Sequence, residues 1–310
     1  MEPVVDLRAA HLRYDARAAL SGMSFDVRAG EMFGLVGPDG AGKTTAIRVL
    51  LGLLPLVGGT ARVLGHDPLV DGAAVKSRVG YLSQRFTLYG DLTIEENIEF
   101  FGDIHGVRRM GPRLEQLLDF TRLAPFRQRR ADRLSGGMQK KLALACTLIH
   151  TPDVLFLDEP TTGVDPISRR ELWGLLSQLL LQGMAVLLTT PDLDEAERCG
   201  RVARVRGGRT LALGTPAELR ASWQDEILEV VCHPARQARA LLSASSRVRE
   251  VQLFGDRLHI VPAQRGDALD DLLSTLEGVK ITAVRRVPPS LEDVFIRRVA
   301  LTDDAIEVSL

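Results

Sequence analysis

From Val4 to about Leu219 the chain alternates short apolar runs with stretches of helical periodicity, the rhythm of an α/β domain. Phe33-Gly34-Leu35-Val36 reads as a buried strand ending in a glycine-rich turn, and a helix is expected from Lys43 to about Leu54. Gly58-Gly59 opens another strand through Val63-Leu64. Thr93, with Glu96 three residues on, predicts a capping box at the head of a helix running toward Phe101. Val154-Leu155-Phe156-Leu157 and Val186-Leu187-Leu188 are unbroken apolar runs, as expected of strands buried on both faces, with a helix around Glu171 to Leu181 between them. Thr215-Pro216 reads as an N-cap followed by proline at the first helical position.

After about Gln224 the rhythm changes. Ile227–Cys232 predicts a strand, Ala235–Leu242 a helix, and Val248–Phe254 with Leu258–Val261 a hairpin turning at Gly255-Asp256. Ala268–Leu276 is expected to be helical and Val279–Val284 to be a last strand, giving the order β-α-β-β-α-β of a ferredoxin-like unit. Pro288-Pro289 closes that unit, and a final helix is expected from Ser290 to about Val299. The pattern divides the chain into an α/β domain over 1–222, with a helical subdomain at about 85–150, and a small α+β domain over 223–310.

Composition narrows the class. Apolar residues make up 45% and charged residues 25%, the balance of a globular protein rather than a disordered one. Lys+Arg 39 against Asp+Glu 40 leaves a net charge of -1, so no global field recruits nucleic acid or anionic lipid. Cys146, Cys199 and Cys232 lie far apart, without metal or disulfide spacing, and a reduced cytosolic setting is the expectation. No apolar run approaches a spanning helix, and Met1 to Arg8 lack a signal-peptide core, so the chain is not expected to cross a membrane by itself.

Gly37-Pro38-Asp39-Gly40-Ala41-Gly42-Lys43-Thr44 fits G-x-x-x-x-G-K-[ST] and lies between a buried strand and a helix start. Glycines there let backbone N–H groups turn inward around phosphate oxygens, and the helix N-terminus adds positive potential. Lys43 is placed to reach the β- and γ-phosphates, the Thr44 hydroxyl to bind Mg²⁺, and Thr45 to complete the cradle. Downstream, the apolar run Val154–Leu157 delivers Asp158 and Glu159 at its end. Asp158 is expected to hold Mg²⁺ through water, and Glu159 to polarise an attacking water.

Leu134-Ser135-Gly136-Gly137-Met138-Gln139 resembles the signature sequence of ATP-binding cassette (ABC) proteins. Other elements follow in family order: Tyr14 where an aromatic stacks on adenine, Gln84 as the Q-loop glutamine, and Thr161-Thr162-Gly163-Val164-Asp165-Pro166 as the D-loop. The resemblance implies a P-loop ABC cassette with an antiparallel β subdomain and an inserted helical subdomain. It also implies that two cassettes sandwich two Mg·ATP, with Ser135, Gly136 and Gly137 facing the P-loop of the opposite subunit. Gln84 would then sense Mg²⁺ and the γ-phosphate. Pro38-Asp39-Gly40, Asp165-Pro166-Ile167-Ser168-Arg169-Arg170 and Pro289-Ser290-Leu291-Glu292-Asp293-Val294-Phe295 are similar to the ATPase subunits of ABC-2-type, multidrug-export-like transporters. The implied activity is ATP hydrolysis that drives export through a separate membrane permease, at the cytoplasmic face of the cell membrane.

There is one departure. The family carries a histidine after the strand that here is Ala185–Thr190, and Pro191 occupies its place. None of the six histidines, His11, His66, His105, His150, His233 and His259, lies nearby. Proline has no side-chain donor and no backbone N–H. Two expectations stay open: an asymmetric heterodimer whose partner supplies the histidine, and a homodimer in which Glu159 and water suffice. Arg127, Arg129, Arg130 and Arg133 could meet acidic residues of the permease or form a solvated basic face. The C-terminal domain suggests dimerisation or docking. A DNA-repair ABC ATPase would need a long heptad insertion, and only about 90 residues separate P-loop and signature, without heptads. A ribosome-associated factor would carry two cassettes in one chain.

Overall fold

The computed structural model describes residues 2–85, 88–264, 276 and 278–297. Its contacts divide the chain into two units, Met1–Pro216 and Ala217–Leu310.

The first unit is built on a six-stranded sheet in the spatial order Val79–Leu82, Val154–Asp158, Ala185–Thr190, Met32–Val36, Arg201–Arg206 and Arg209–Gly214. The first five are parallel and only the edge strand Arg209–Gly214 runs antiparallel. Every residue of Met32–Val36, Val154–Asp158 and Ala185–Thr190 is buried, which is why their sequences run apolar rather than alternating until the polar ends at Asp158, Thr189 and Thr190. A second, three-stranded antiparallel sheet comprises Arg17–Val27, Val5–Tyr14 and Gly58–Val63. Phe25, Phe33, Leu35, Ile47 and Phe156 share one core between the two sheets and the helix Lys43–Leu50. Arg201 ties the layers at their edge through Asp26 (3.0 Å) and Glu31 (3.3 Å), and this contact holds Asp26 below its ordinary range.

Between Leu82 and Val154 the chain makes three helices, Ile94–Ile104, Met110–Thr121 and Gly136–Leu148. Thr93 caps the first as its sequence predicts: its hydroxyl accepts the Glu96 N–H, and the Glu96 carboxylate accepts the Thr93 N–H. Two helix boundaries differ from the sequence reading. The helix from Lys43 ends at Leu50, not near Leu54, because Gly52 turns the chain at φ 67° and the Leu53 N–H closes back on the Arg48 carbonyl at 2.9 Å. The helix expected around Glu171 begins at Pro166, where Asp165 accepts the Ile167 and Ser168 N–H groups and proline fits the first turn.

The second unit is a four-stranded antiparallel sheet in the order Val248–Phe254, Arg257–Pro262, Ile227–His233 and Lys280–Val287. Numbered along the unit this is 2-3-1-4, the ferredoxin-like arrangement, with the helix Ala235–Ser243 packed on it through Ala238 and Leu242. The helix expected at Ala268–Leu276 falls almost wholly outside the described residues, as does the end of the last helix beyond 297. The described turns of that helix, 291–297, bury Leu291, Val294 and Phe295. Asp293 anchors it, accepting from Ser290 N and Oγ at 2.8 and 2.6 Å and from His259 Nδ1 at 2.8 Å.

Candidate functional site

Parallel strands deliver their carboxyl ends to one edge of the sheet, and the crevice there is where α/β proteins bind ligands. One cavity of about 680 Å³ opens at that edge, lined by Tyr14, Asp39 to Thr45, Gln84, Glu159, Thr162 and Pro191. Tyr14 ends the strand Val5–Tyr14 and is 42% exposed, leaving its ring face free at the cavity mouth.

The loop between Val36 and Lys43 has the shape its glycines require. Gly42 sits at φ 100°, and a Cβ on it would come within 2.7 Å of the Ala19 carbonyl oxygen. Lys43 is 4% exposed, and its Nζ donates to the carbonyls of Gly37 (2.7 Å) and Pro38 (3.0 Å). Glu159 Oε1 stands 3.5 Å from the same ammonium.

Asp158 is buried at the end of its strand, and two hydroxyls donate to its Oδ1: Thr189 at 2.6 Å and Thr44 at 3.1 Å. The Thr189 hydroxyl also accepts the Glu159 N–H at 3.1 Å. Glu159 itself has φ 50°, in the left-handed region that few residues other than glycine adopt. Such strain clusters where a side chain must be aimed. Its Oε2 accepts from Gln84 Nε2 at 2.8 Å and from the Thr162 hydroxyl at 3.3 Å. Thr44 is hydrogen-bonded to Asp158 and lines the same cavity as Gln84, so hydroxyl, carboxylate and amide side chains of the kind a hard divalent cation takes lie in one region.

Ser135, Gly136, Gly137 and Asp165 do not line this cavity. Ser135 caps the helix Gly136–Leu148, its Oγ accepting the Met138 N–H at 3.3 Å. Gly137 packs so closely on Ser168 that a Cβ would collide with the Ser168 side chain. Asp165 lies at the head of the helix bearing Ser168, and hydrogen bonds from Ser168 hold its carboxyl below the ordinary range. The four residues therefore sit together and outside the lining of the cavity that contains the P-loop. Gly37 and Pro38 contribute their carbonyls behind the loop.

Pro191 follows the strand Ala185–Thr190 and faces the same cavity as Glu159. Of the four arginines before the signature, Arg127 is paired with Glu95 (2.7 Å) and Glu115 (2.9 Å), and Arg130 with Asp132 (2.9 Å). Arg129 lies over the Phe126 ring. Cys146 and Cys199 are buried in the core, and burial pushes the Cys199 thiol up to about 12. Sequence reasoning assigns no role to Thr189 and includes Thr162 only within the D-loop. Their signal, a threonine at the end of an apolar strand and one three residues past the glutamate, acquires meaning only from the pairing of Asp158 with Thr189 across adjacent strands.

Comparison with known proteins agrees with this geometry. The family model described as "ABC transporter" matches residues 20–162, and the one described as "ATP-binding protein DrrA1-3-like, C-terminal domain" matches residues 214–299. The probable multidrug ABC transporter ATP-binding protein YbhF of Escherichia coli (strain K12) is 37% identical over 302 residues, covering 95% of this chain and 52% of that protein. The chain thus spans about half the length of that relative. Daunorubicin resistance ATP-binding protein DrrA3 of Streptomyces coeruleorubidus is 37% identical over 301 residues, 95% of each chain. A solved ATP-binding subunit of an ABC transporter superposes with a TM-score of 0.65 at 28% identity, over 71% of this chain and 92% of that one. A P-loop, a strand-end acidic pair and a signature helix in this arrangement, followed by a match to a DrrA-like C-terminal domain, place the chain in the ABC transporter family.

Proposed function

We propose that the chain hydrolyses Mg·ATP within a closed pair of cassettes and so powers export through a separate ABC-2-type permease, lying at the cytoplasmic face of the membrane. The observation that carries this reading is the division of the site. Tyr14, the P-loop, Gln84 and Glu159 share one cavity, whereas Ser135 to Gly137 and Asp165 lie outside it and are free to complete the cavity of a second cassette. Among the described residues no helix is long and apolar enough to cross a membrane, so in this reading a permease supplies the path. The direction of transport is taken from the relatives' names, which describe multidrug and daunorubicin resistance.

In the proposed mechanism, Lys43 exchanges the Gly37 and Pro38 carbonyls for β- and γ-phosphate oxygens. Thr44, Gln84 and Asp158 would hold Mg²⁺, which would neutralise phosphate charge. Glu159, freed from Lys43, orients the attacking water and accepts its proton. Gln84 touches Glu159 directly, so a change at the γ-phosphate reaches the segment that follows Gln84 and, through it, the permease. Most of the rate advantage comes from positioning and charge neutralisation.

Pro191 gives this cavity no hydrogen-bond donor where the family has histidine, so a heterodimer is the favoured assembly, with the intact signature serving the partner's site. The test is Mg²⁺-dependent ATP hydrolysis by the purified chain alone, with Lys43→Ala as blank. ATP binding without turnover supports a missing partner. Turnover clearly above the blank removes the motive for a heterodimer, and absence of ATP binding sinks the whole reading.

A further inference from the structure

The nucleotide cavity holds a second cation, Arg17. A tight hairpin through Asp15 and Ala16 makes Tyr14 and Arg17 direct partners across the strands Val5–Tyr14 and Arg17–Val27. Directly opposed residues of an antiparallel pair project to the same face, so the hairpin presents an aromatic ring and a guanidinium side by side. The guanidinium extends over the P-loop: a Cβ built on Gly40 would stand 3.4 Å from Arg17 Nη2. Among the described residues the Arg17 side chain makes no hydrogen bond and no ion pair. Its neighbour Arg13, by contrast, donates to the Ala16 carbonyl at 2.9 Å.

Charge around the cavity gives Arg17 a task. Asp39 and Glu159 line it, and Asp158 lies just behind Thr44. Lys43, the other cation in the lining, already has Glu159 and two carbonyls as neighbours. A polyphosphate entering beside three carboxylates is favoured by a further positive charge, in addition to Lys43 and the Mg²⁺ it brings. Arginine suits that purpose, because its planar fork donates two parallel hydrogen bonds to phosphate oxygens.

We propose that Arg17 is a nucleotide-binding residue that clamps the phosphates from the hairpin, beside Gly40 of the P-loop. The hairpin then engages both ends of the ligand, the base through Tyr14 and the phosphate charge through Arg17. This inference rests on the reading that the cavity takes ATP.

The experiment is calorimetric titration of ATP, ADP and AMP into the full chain carrying Glu159→Gln to stop turnover, alone and combined with Arg17→Ala or Arg17→Lys. Arg17 is exposed at the cavity mouth, and unchanged thermal unfolding of each variant checks the fold. The expected result for Arg17→Ala is a loss of about tenfold or more in ATP affinity, as for other hydrogen bonds between charged groups. AMP binding should stay the same, Arg17→Lys should recover part of the loss, and the salt dependence of ATP binding should flatten. Equal weakening of ATP and AMP would assign Arg17 to the base or ribose and overturn the proposal, as would ATP affinity unchanged by Arg17→Ala. A parent chain that binds no ATP overturns the functional reading itself, and with it this inference.

Discussion

Thr189 Oγ1 lies 2.6 Å from Asp158 Oδ1 and 3.1 Å from the Glu159 amide nitrogen, so one hydroxyl donates to the first acid and accepts from the backbone of the second. The two carboxylates expected to do different work are thereby set by a single buried side chain on the neighbouring strand. Thr189→Val keeps the shape and removes both bonds. Thr44 still donates to Asp158 Oδ1 and the Glu159 N–H still reaches the Thr189 carbonyl at 3.2 Å, so the loss of stability should be roughly 1 kcal/mol, the usual net value of a hydrogen bond. The substitution should also lower ATP turnover more than ATP affinity; chemical denaturation and steady-state kinetics read the two effects.

Glu159→Gln should bind ATP and turn it over at least roughly a hundredfold more slowly, the lower end of what a positioned general base contributes. Single-turnover hydrolysis is the measurement. Retention of near-normal turnover would move the base to another residue.

Gly137→Ala should disrupt the signature segment, because its Cβ would overlap the Ser168 side chain. Pairing it with Ser168→Gly vacates the contested space, and unfolding temperature should return toward the wild-type value. A double-mutant cycle by thermal unfolding tests this coupling; additive effects would mean that the close approach is not what excludes alanine.

Pro191→His should raise turnover in the chain alone if the family's histidine is what its cavity lacks. Comparison of kcat at saturating ATP with the wild-type chain decides it, and an unchanged kcat would count against asymmetry.

The anchor of the last helix should respond to pH. A hydrogen bond to Asp293 raises His259 above its ordinary 6.5, against the opposing effect of burial. Burial pushes Asp293 up, but the bonds from His259 and Ser290 outweigh it and leave the carboxyl below 3.8. Charged His259 favours the folded state, so its contribution is complete below pH 6.5 and fades as pH climbs through its raised folded value. Asp293 contributes fully above pH 3.8 and loses its contribution as pH falls through its depressed value. His259→Leu should therefore lower the unfolding temperature of the second unit most near about pH 5.5 and progressively less toward alkaline pH. A loss independent of pH would assign His259 to packing alone.

Much of the architecture is legible in local chemistry. The P-loop, the Thr93–Glu96 box and the strand that ends at Asp158 are signals contained within a few residues. The acceptor side chain of Asp165 followed by Pro166 is equally local, yet as a helix start it is masked by its resemblance to the D-loop. The contacts of Thr189, Thr162 and Arg17 are different in kind. They arise from strand register, from a turn that returns the chain to Glu159, and from a hairpin that faces a loop about twenty residues away. Periodicity predicts that those strands exist, but not which of their side chains meet.

Lys43 deserves a last consequence, drawn from its two backbone partners. An ammonium left bare in a buried loop would turn departure of the ligand into a threat to the fold. Because the Gly37 and Pro38 carbonyls receive it, arrival and departure of nucleotide become an exchange of one set of oxygens for another. In the proposed reading, release of product leaves Lys43 with partners already in place and a cassette shaped for the next nucleotide.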